Sequence, residues 1–525
     1  MKKYLLLAAA GLTAAACADK GLENNHQNGE LEESYVAISF AADDMNTKAG
    51  TNPDGVYELG RDEERAVKSA YVFFFKDGAA FPVAFDGTTS TNAGTRNYLE
   101  VDLQGTQSDM NNISDVKNAV LVLQNYKGEY PDQLLAVINW TPENNSYTLE
   151  NLRAKVSELG NDTDGYVMSN AVYADKANQK IDAFDLTLAN IGKTKEDALA
   201  NPVTIHVERV AAKVVFTAKN NGKFAIEKEI EGKPIYAQIK GFELYNDYQE
   251  SWLIKRIDPT KWTDLGFNWN DSDWHRSYWA QSLGKDFENN TFAWNTEKNT
   301  PIDGYVYCGE NTRTWTEEAD VRTKVVVKAQ LVDADNKPVE VVNWYGKDYI
   351  DEADLLTVVA NTLKNTYYSS PDGSAFTGIK PEDLKCVDRL VTDAKAYEVY
   401  FQLSTTGEGK NWYKYEGGNY SALEDAAFNT ALAAVQPALV YNDGMTYYWT
   451  DIKHLGAPEK TGEFGVVRNH IYKVHITDIT GYGTPVYNGT SDFINLEKPT
   501  DIVTYVAAQV NILSWRLVEH NYELK

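Results

Sequence analysis

Cysteine is scarce in this chain, with three in 525 residues at positions 17, 308 and 386. A disulfide framework is excluded, so apolar cores must hold the fold, and Cys308 and Cys386 could either pair or stay buried as free thiols. Histidine is sparse too, with seven, and none falls in an HExxH or a Cys–His zinc spacing. His470 and His475 lie five apart, which suits neither one strand face nor one helix face, and they read as solvent-facing strand histidines. GxSxG, P-loop and GxGxxG patterns are missing. Ser114-Asp115-Val116-Lys117 and Lys460-Thr461-Gly462 imitate two serine β-lactamase elements, without the third or the helical scaffold they need. Asp271-Ser272-Asp273 and Asp333-Ala334-Asp335 lack the glycine and final glutamate of an EF-hand loop and read as turns. No catalytic residue, metal site or cofactor emerges, and an enzyme is not expected. Positive charge is also short: 50 Lys plus Arg stand against 76 Asp plus Glu, a net charge of −26. Phosphate neutralisation cannot drive binding, so nucleic acid is excluded as a partner.

Long apolar runs are missing except at the start. Lys2 and Lys3 precede Tyr4–Ala16, thirteen uncharged residues rich in Leu and Ala. At 1.5 Å per residue this run is too short to span a bilayer, and it reads as a signal peptide, residues 1–16. It ends Ala14-Ala15-Ala16-Cys17, small residues ahead of a cysteine, as a lipoprotein signal peptidase requires. Lipidation of Cys17 would tether the chain to the outer membrane; plain secretion after Ala16 is the alternative. Losing Lys2 and Lys3 leaves the mature chain at −28. An acidic, Asn- and Gly-containing tether follows to Glu33.

Aromatic residues are abundant: 12 Trp, 33 Tyr and 18 Phe. That much apolar surface requires large cores, and 525 residues allow several domains. Val36, Ile38 and Phe40 alternate with Ala37 and Ser39, a strand with one buried face. The segment 43–60 after it has no apolar pattern and reads as an exposed loop. Ala70–Phe75 then turns through Lys76-Asp77-Gly78, a hairpin signal. Further strands are expected at 119–123, 134–140, 204–218, 235–245, 321–332 and 339–344, with short helices at 149–159, 350–363 and 422–435. Short strands with turn signals between them predict a mainly β chain of β-sandwiches. The Gly-, Lys- and Glu-rich stretch 220–233 is the expected boundary, giving sandwiches at 49–222 and 223–525 behind a tether and first strand at 17–48. Tyr472, Val474 and Ile476 alternate as a half-buried strand. Val506, Ala508, Val510 and Ile512 then share one face, and Leu513, Trp515 and Leu517 continue on the other parity. A single long terminal strand with a bulge near Ile512–Leu513 would reconcile the two phases. So apolar a strand must be covered, by its own domain or by another copy.

The lipoprotein signal, the alternating strand before an exposed loop, Val207-Glu208-Arg209-Val210-Ala211-Ala212-Lys213-Val214, the segment Val467–Ile476, and Val510-Asn511-Ile512-Leu513-Ser514-Trp515 resemble the Bacteroidetes fimbrillins. Within that family they are most similar to the shaft subunit of the minor-type fimbria, a type V pilin. The resemblance implies two transthyretin-like Greek-key β-sandwiches in a lipoprotein precursor of a cell-surface fimbrium. It also implies cleavage by a trypsin-like protease in the loop after the first strand. In this chain the matching bond is Lys48–Ala49, with Arg61 and Arg65 as alternatives. Removal of Val36, Ile38 and Phe40 with their strand would open a groove. The terminal strand of a neighbouring copy, with Val506, Ala508, Val510, Ile512, Leu513 and Trp515, would fill it. Partners would then be further copies head to tail, with anchor and tip subunits.

Trp252, Trp262, Trp269, Trp274, Trp279 and Trp294 fall within 43 residues. Exposed, Trp269 and Trp274 would suit sugar rings, in a surface glycan-binding lipoprotein; buried, the cluster packs an insertion onto the second sandwich.

Overall fold

The computed structural model describes residues 31–42, 57–58, 60–85, 96–101, 119–175, 180–257, 274–276, 279–287, 292–295, 299–313, 321–388, 395, 397–456, 462–490, 510–512 and 515–524. The signal peptide, Cys17, Lys48, Ala49, Trp262, Trp269, Val506, Ala508 and Leu513 lie outside them. The architecture is mainly β, as the turn-rich strand pattern predicts.

The first sheet is built from β1 (Leu31–Ala42), β2 (Ala70–Lys76), β3 (Ala119–Tyr126), β4 (Gln133–Ile138), β5 (Met168–Asn170), β6 (Ile191–Gly192) and β7 (Val203–Arg209). Its order runs β6-β1-β7-β5-β4-β2, with β3 also on β1. The apolar run in β2 is continuous because both faces of the sheet are covered. Val72 and Phe74 enter one core with Leu134 and Ala136, while Phe73 and Phe75 enter another with Leu135 and Val137. That second core also takes Leu253, Trp279 and Val467 from later in the chain. Beyond β2 the expected hairpin forms: Lys76 pairs with Ala79. Asp77 and Gly78 both take positive φ, 52° and 74°, as the tight turn of a right-twisted hairpin demands.

The predicted strand 204–218 is two strands in two sheets. β7 ends at Arg209, and β8 (Ala212–Ala218) pairs with β9 (Tyr305–Cys308) and β10 (His470–Ile479). Val210 and Ala211, both fully buried, carry the chain across. The stretch 220–233, expected as a domain boundary, instead forms the start of a hairpin, Lys223–Ile230 against Lys233–Tyr245. Its Gly and Lys content marks the turns at Asn220–Gly222 and Glu231–Gly232, where φ is positive. Lys233–Tyr245, Lys324–Val332 and Met445–Asp451 continue that second sheet. It faces the β8–β10 sheet across one core, where Phe216, Phe242, Val327, Tyr448, Tyr472, Val474 and Ile476 meet. This is the β-sandwich expected, and the alternation in β10 points inward as read.

A further unit is inserted between Lys324–Val332 and Met445–Asp451. Asp333 closes the expected turn by accepting from the N–H groups of Asp335 and Lys337, each at 2.9 Å. Val341–Trp344 then leaves for another sheet, with Lys347–Tyr349, Leu384–Asp388, Glu398–Leu403 and Ala438–Tyr441. Helices Glu352–Leu363 and Asp425–Ala433, near their predicted limits, close its own core around Leu355, Phe401, Trp412 and Phe428. The first starts on Asp351, whose side chain accepts from the Asp354 N–H.

Cys308 and Cys386 are free, buried and in different cores. Burial pushes both thiols up, away from the reactive thiolate form. Among the described residues no helix is long and apolar enough to cross a membrane, and no group of metal-binding side chains assembles.

Candidate assembly site

β1 is an interior strand. Leu31–Ile38 pairs antiparallel with Tyr126–Ala119 of β3, while Ile38–Ala42 pairs parallel with Val203–Val207 of β7. Tyr35 and Val36 also meet β6. Val36 and Ile38 are fully buried and share their core with Leu121, Leu123, Val203 and Ile205. Phe40 stands opposite Ile205 in the ladder. The Ser34 hydroxyl donates to Asn125 Oδ1 at 2.8 Å inside the sheet. At the strand's start, Glu32 Oε1 accepts from the Gly128 N–H at 3.1 Å and the Tyr130 hydroxyl at 2.8 Å. These hydrogen bonds, the Gly128 N–H first, hold the Glu32 carboxyl below its usual range. Without β1, the edges of β3 and β7 would each present unpaired backbone groups beside an apolar floor. Such a gap accepts one strand.

The predicted terminal strand is two strands that pair with each other. Val510–Ile512 runs antiparallel to β11 (Trp515–Leu524), with Ile512 opposite Leu517. Val510–Ile512 and Trp515–Leu524 therefore run in opposite directions, where a single bulged strand is expected. β11 lies parallel to β10, His470 opposite Arg516, and on its other side meets Tyr57–Glu58.

Helix α1 (Asp62–Arg65) follows Tyr57–Glu58 in the chain. Its Glu64 is fully buried at the seam of the two sandwiches. Lys213 of β8 lies 2.5 Å from Glu64 Oε1, and the Tyr307 hydroxyl of β9 donates to the same carboxylate. Arg209 Nε donates to the Glu64 carbonyl at 2.6 Å. Burial alone would raise the Glu64 carboxyl, but the hydrogen bonds from Lys213 and Tyr307 and the charges of Lys213 and Arg209 outweigh it and hold it below its usual range. Arg61 also points into this cluster, 2.7 Å from Asp162 and 2.9 Å from the Tyr307 hydroxyl. Arg65 pairs with Asp62.

The two motif segments quoted from the sequence meet at this seam. Arg209 Nη1 donates to Asn469 Oδ1 at 3.0 Å, and the Asn469 N–H donates to the Ala211 carbonyl at 2.7 Å. Glu208 pairs with Lys255 at 2.7 Å and Arg468 with Glu310 at 2.7 Å, all four side chains buried. His470 is buried, its Nδ1 at 2.7 Å from the Arg468 carbonyl, which corrects the expectation of a solvent-facing residue. His475 is half-buried on Thr217. Sequence reading did not single out Glu64 and Tyr307; the only local trace is the Glu three residues after Arg61, which closes a cap on the Arg61 N–H at 3.0 Å.

Of the tryptophans, Trp279 is 2% exposed in the core beneath the seam. Trp252 lies under Arg256, and the Trp294 indole donates to the Thr446 carbonyl at 3.0 Å. These three pack inward. Trp274 belongs to a short strand opposite Asp175.

Residues 439–521 match the family model of the major fimbrial subunit protein type IV, the fimbrillin C-terminal region. No curated protein matches the chain. Among solved structures it is similar to a fimbrilin, FimA, from Porphyromonas gingivalis W83, at 11% identity and TM-score 0.32 over 93% of this chain and 97% of that one. It is also similar to the tip fimbrial protein Mfa3 of Porphyromonas gingivalis, at 11% identity and TM-score 0.29, over 84% and 94%. A protein assigned to cell adhesion from Bacteroides eggerthii covers 96% of this chain with all of its own, at 12% identity and TM-score 0.37. Residues 439–521, which include β10 and most of β11, therefore carry the C-terminal region of the fimbrillins.

Proposed function

We propose that this chain is a fimbrillin, a shaft subunit that polymerises by strand exchange, in support of adhesion. Exported as a lipoprotein on Cys17 to the outer membrane, it loses β1 by cleavage at Lys48–Ala49. The observation that carries this reading is the position of β1: interior, paired on both edges, with Val36 and Ile38 in the core. Its departure leaves a groove for a strand of another copy, taken from residues 506–524. Inserting about four apolar side chains at roughly 1.5–3 kcal/mol each gains about 6–12 kcal/mol before ordering costs. Ladder hydrogen bonds add to this. A heterologous contact of this kind does not close on itself, so it builds filaments, to which anchor and tip subunits would be joined at the ends.

The state of Arg61 and Arg65 supports Lys48 as the cut. A trypsin-like protease needs its basic side chain free in an extended segment. Arg61 is held by Asp162, Glu64 and Tyr307, and Arg65 lies in α1.

The test is to treat purified precursor with trypsin and to examine the product by SDS gel and electron microscopy. Ladders and filaments are expected. A correctly cleaved product that stays monomeric overturns the reading.

A further inference from the structure

The inserted unit carries a second sheet, of Tyr367–Ser369, Thr377–Gly378, Trp412–Glu416 and Asn419–Leu423, and one of its faces is aromatic and partly exposed. Register places Tyr368 opposite Tyr413 and Tyr415 opposite Tyr420, so four tyrosines share that face. Phe376 joins them. It stacks on Tyr420 with ring centroids 3.7 Å apart and planes 3° from parallel, and meets Tyr413 edge-on at 5.1 Å. Tyr368 stands edge-on to Tyr420 at 5.2 Å. From the other face Trp412, 1% exposed, packs on Phe428 and fixes the hairpin. The platform is therefore rigid, yet Tyr415 and Tyr420 remain 38% and 40% exposed.

Tyr413 and Tyr415 alternate with Lys414 and Glu416, which stand on the Trp412 side of the strand. Lys414 pairs with Glu416 at 2.7 Å. The Asp372 carboxylate accepts from the Ser374 N–H at 2.9 Å and hydroxyl at 2.7 Å. Among the described residues, the hydroxyls of Tyr368, Tyr413, Tyr415 and Tyr420 make no hydrogen bond, so they face outward as donors and acceptors.

We propose that this tyrosine face binds an uncharged oligosaccharide. A pyranose ring offers a flat C–H surface with a slight positive charge, which meets the negative face of an aromatic ring, and a rim of hydroxyls for the phenols. Charge matching selects the ligand: a tyrosine face with no ionised side chain among its strand positions, with the Asp372 carboxylate beside it and on a chain of net charge −26, suits a neutral polymer and repels acidic sugars. Tyrosines fixed in advance lose little freedom on binding. The proposal does not depend on polymerisation.

The test uses the full chain with neutral hexasaccharides of glucose, mannose, galactose and xylose, and with sialyllactose as the acidic arm. Saturation-transfer NMR on the unsubstituted protein should reach the ring C–H protons of at least one neutral hexasaccharide and none of sialyllactose. The double variant Tyr415→Ala, Tyr420→Ala should raise Kd about tenfold or more, with Tyr415→Phe, which keeps the ring, weakening it less. Absence of transfer to every neutral sugar overturns the proposal, as does unchanged binding in the double variant. Self-association in sedimentation that the double variant abolishes, without sugar transfer, also overturns it and assigns the face to contact between copies.

Discussion

Lys213 and Glu64, 149 positions apart, form an ion pair of 2.5 Å that is buried where the two sandwiches meet. β8 brings Lys213 and α1 brings Glu64, so the pair ties the segment that follows β1 to the second sandwich. Removing one member strands the other charge in the interior. Glu64→Ala is therefore expected to lower the unfolding free energy by about 3–5 kcal/mol, measured by urea denaturation.

The same pair sets a pH dependence. The folded carboxyl of Glu64 lies below its unfolded value, so its stabilisation is present above the ordinary Glu range near about 4.3 and is lost as pH falls through the lower folded value. Urea titrations at pH 7 and in steps down to pH 3 should show wild type and Glu64→Gln converging at the acid end. A gap that stays constant would remove Glu64 as the titrating group.

How far the sequence speaks depends on range. Val36 and Ile38, Tyr472 to Ile476, and the Asp77-Gly78 turn were legible because periodicity and turn chemistry are local. The break between β7 and β8 was not, because Val210 and Ala211 are apolar and buried like their neighbours, and the apolar pattern runs on while the chain changes sheet. The opposed strands Val510–Ile512 and β11 imitate one bulged strand, since either arrangement shifts parity by one. The unit at 341–441 hides because its helices and strands read as decorations until Trp412 and Phe428 are seen in one core. Nothing local could join Glu64 to Tyr307, 243 residues away.

Ile38 should report on exchange. Its side chain is fully buried in the core that would become the groove floor. Ile38→Ala is expected to destabilise the precursor by about 2–4 kcal/mol, by the loss of buried area and the cavity left behind. After cleavage the same change weakens the leaving strand and not the incoming one, so polymerisation should speed up. Light scattering after trypsin addition measures it; equal or slower growth would speak against displacement of β1.

Deleting residues 506–525 removes Val510–Ile512 and β11. Among the described residues β11 pairs with β10, Tyr57–Glu58 and Val510–Ile512, and the core between the two sheets of the second sandwich gathers Phe216, Phe242, Tyr448 and Tyr472 from other strands. The truncated chain is expected to stay folded by circular dichroism and to be cleaved normally, yet to form no filaments. Normal filaments from it would place the donor strand elsewhere.

Cleavage should choose between basic residues by their freedom and not by their chemistry. Arg61 makes contacts to Glu63, Glu64, Asp162 and Tyr307, and a protease pocket would have to break all of them to admit its guanidinium. Severing the chain there would also detach Glu64 from the segment that holds Lys48. Limited trypsin digestion of the native precursor should therefore give a product beginning at Ala49, read by N-terminal sequencing. In Lys48→Gln the same digestion should leave the precursor intact while α1 is folded. If Glu64→Ala is added, Arg61 loses its cap and one of its anchors, and a second product beginning at Asp62 should appear. Cutting after Arg61 in the unsubstituted protein would move the processing site from Lys48 to Arg61.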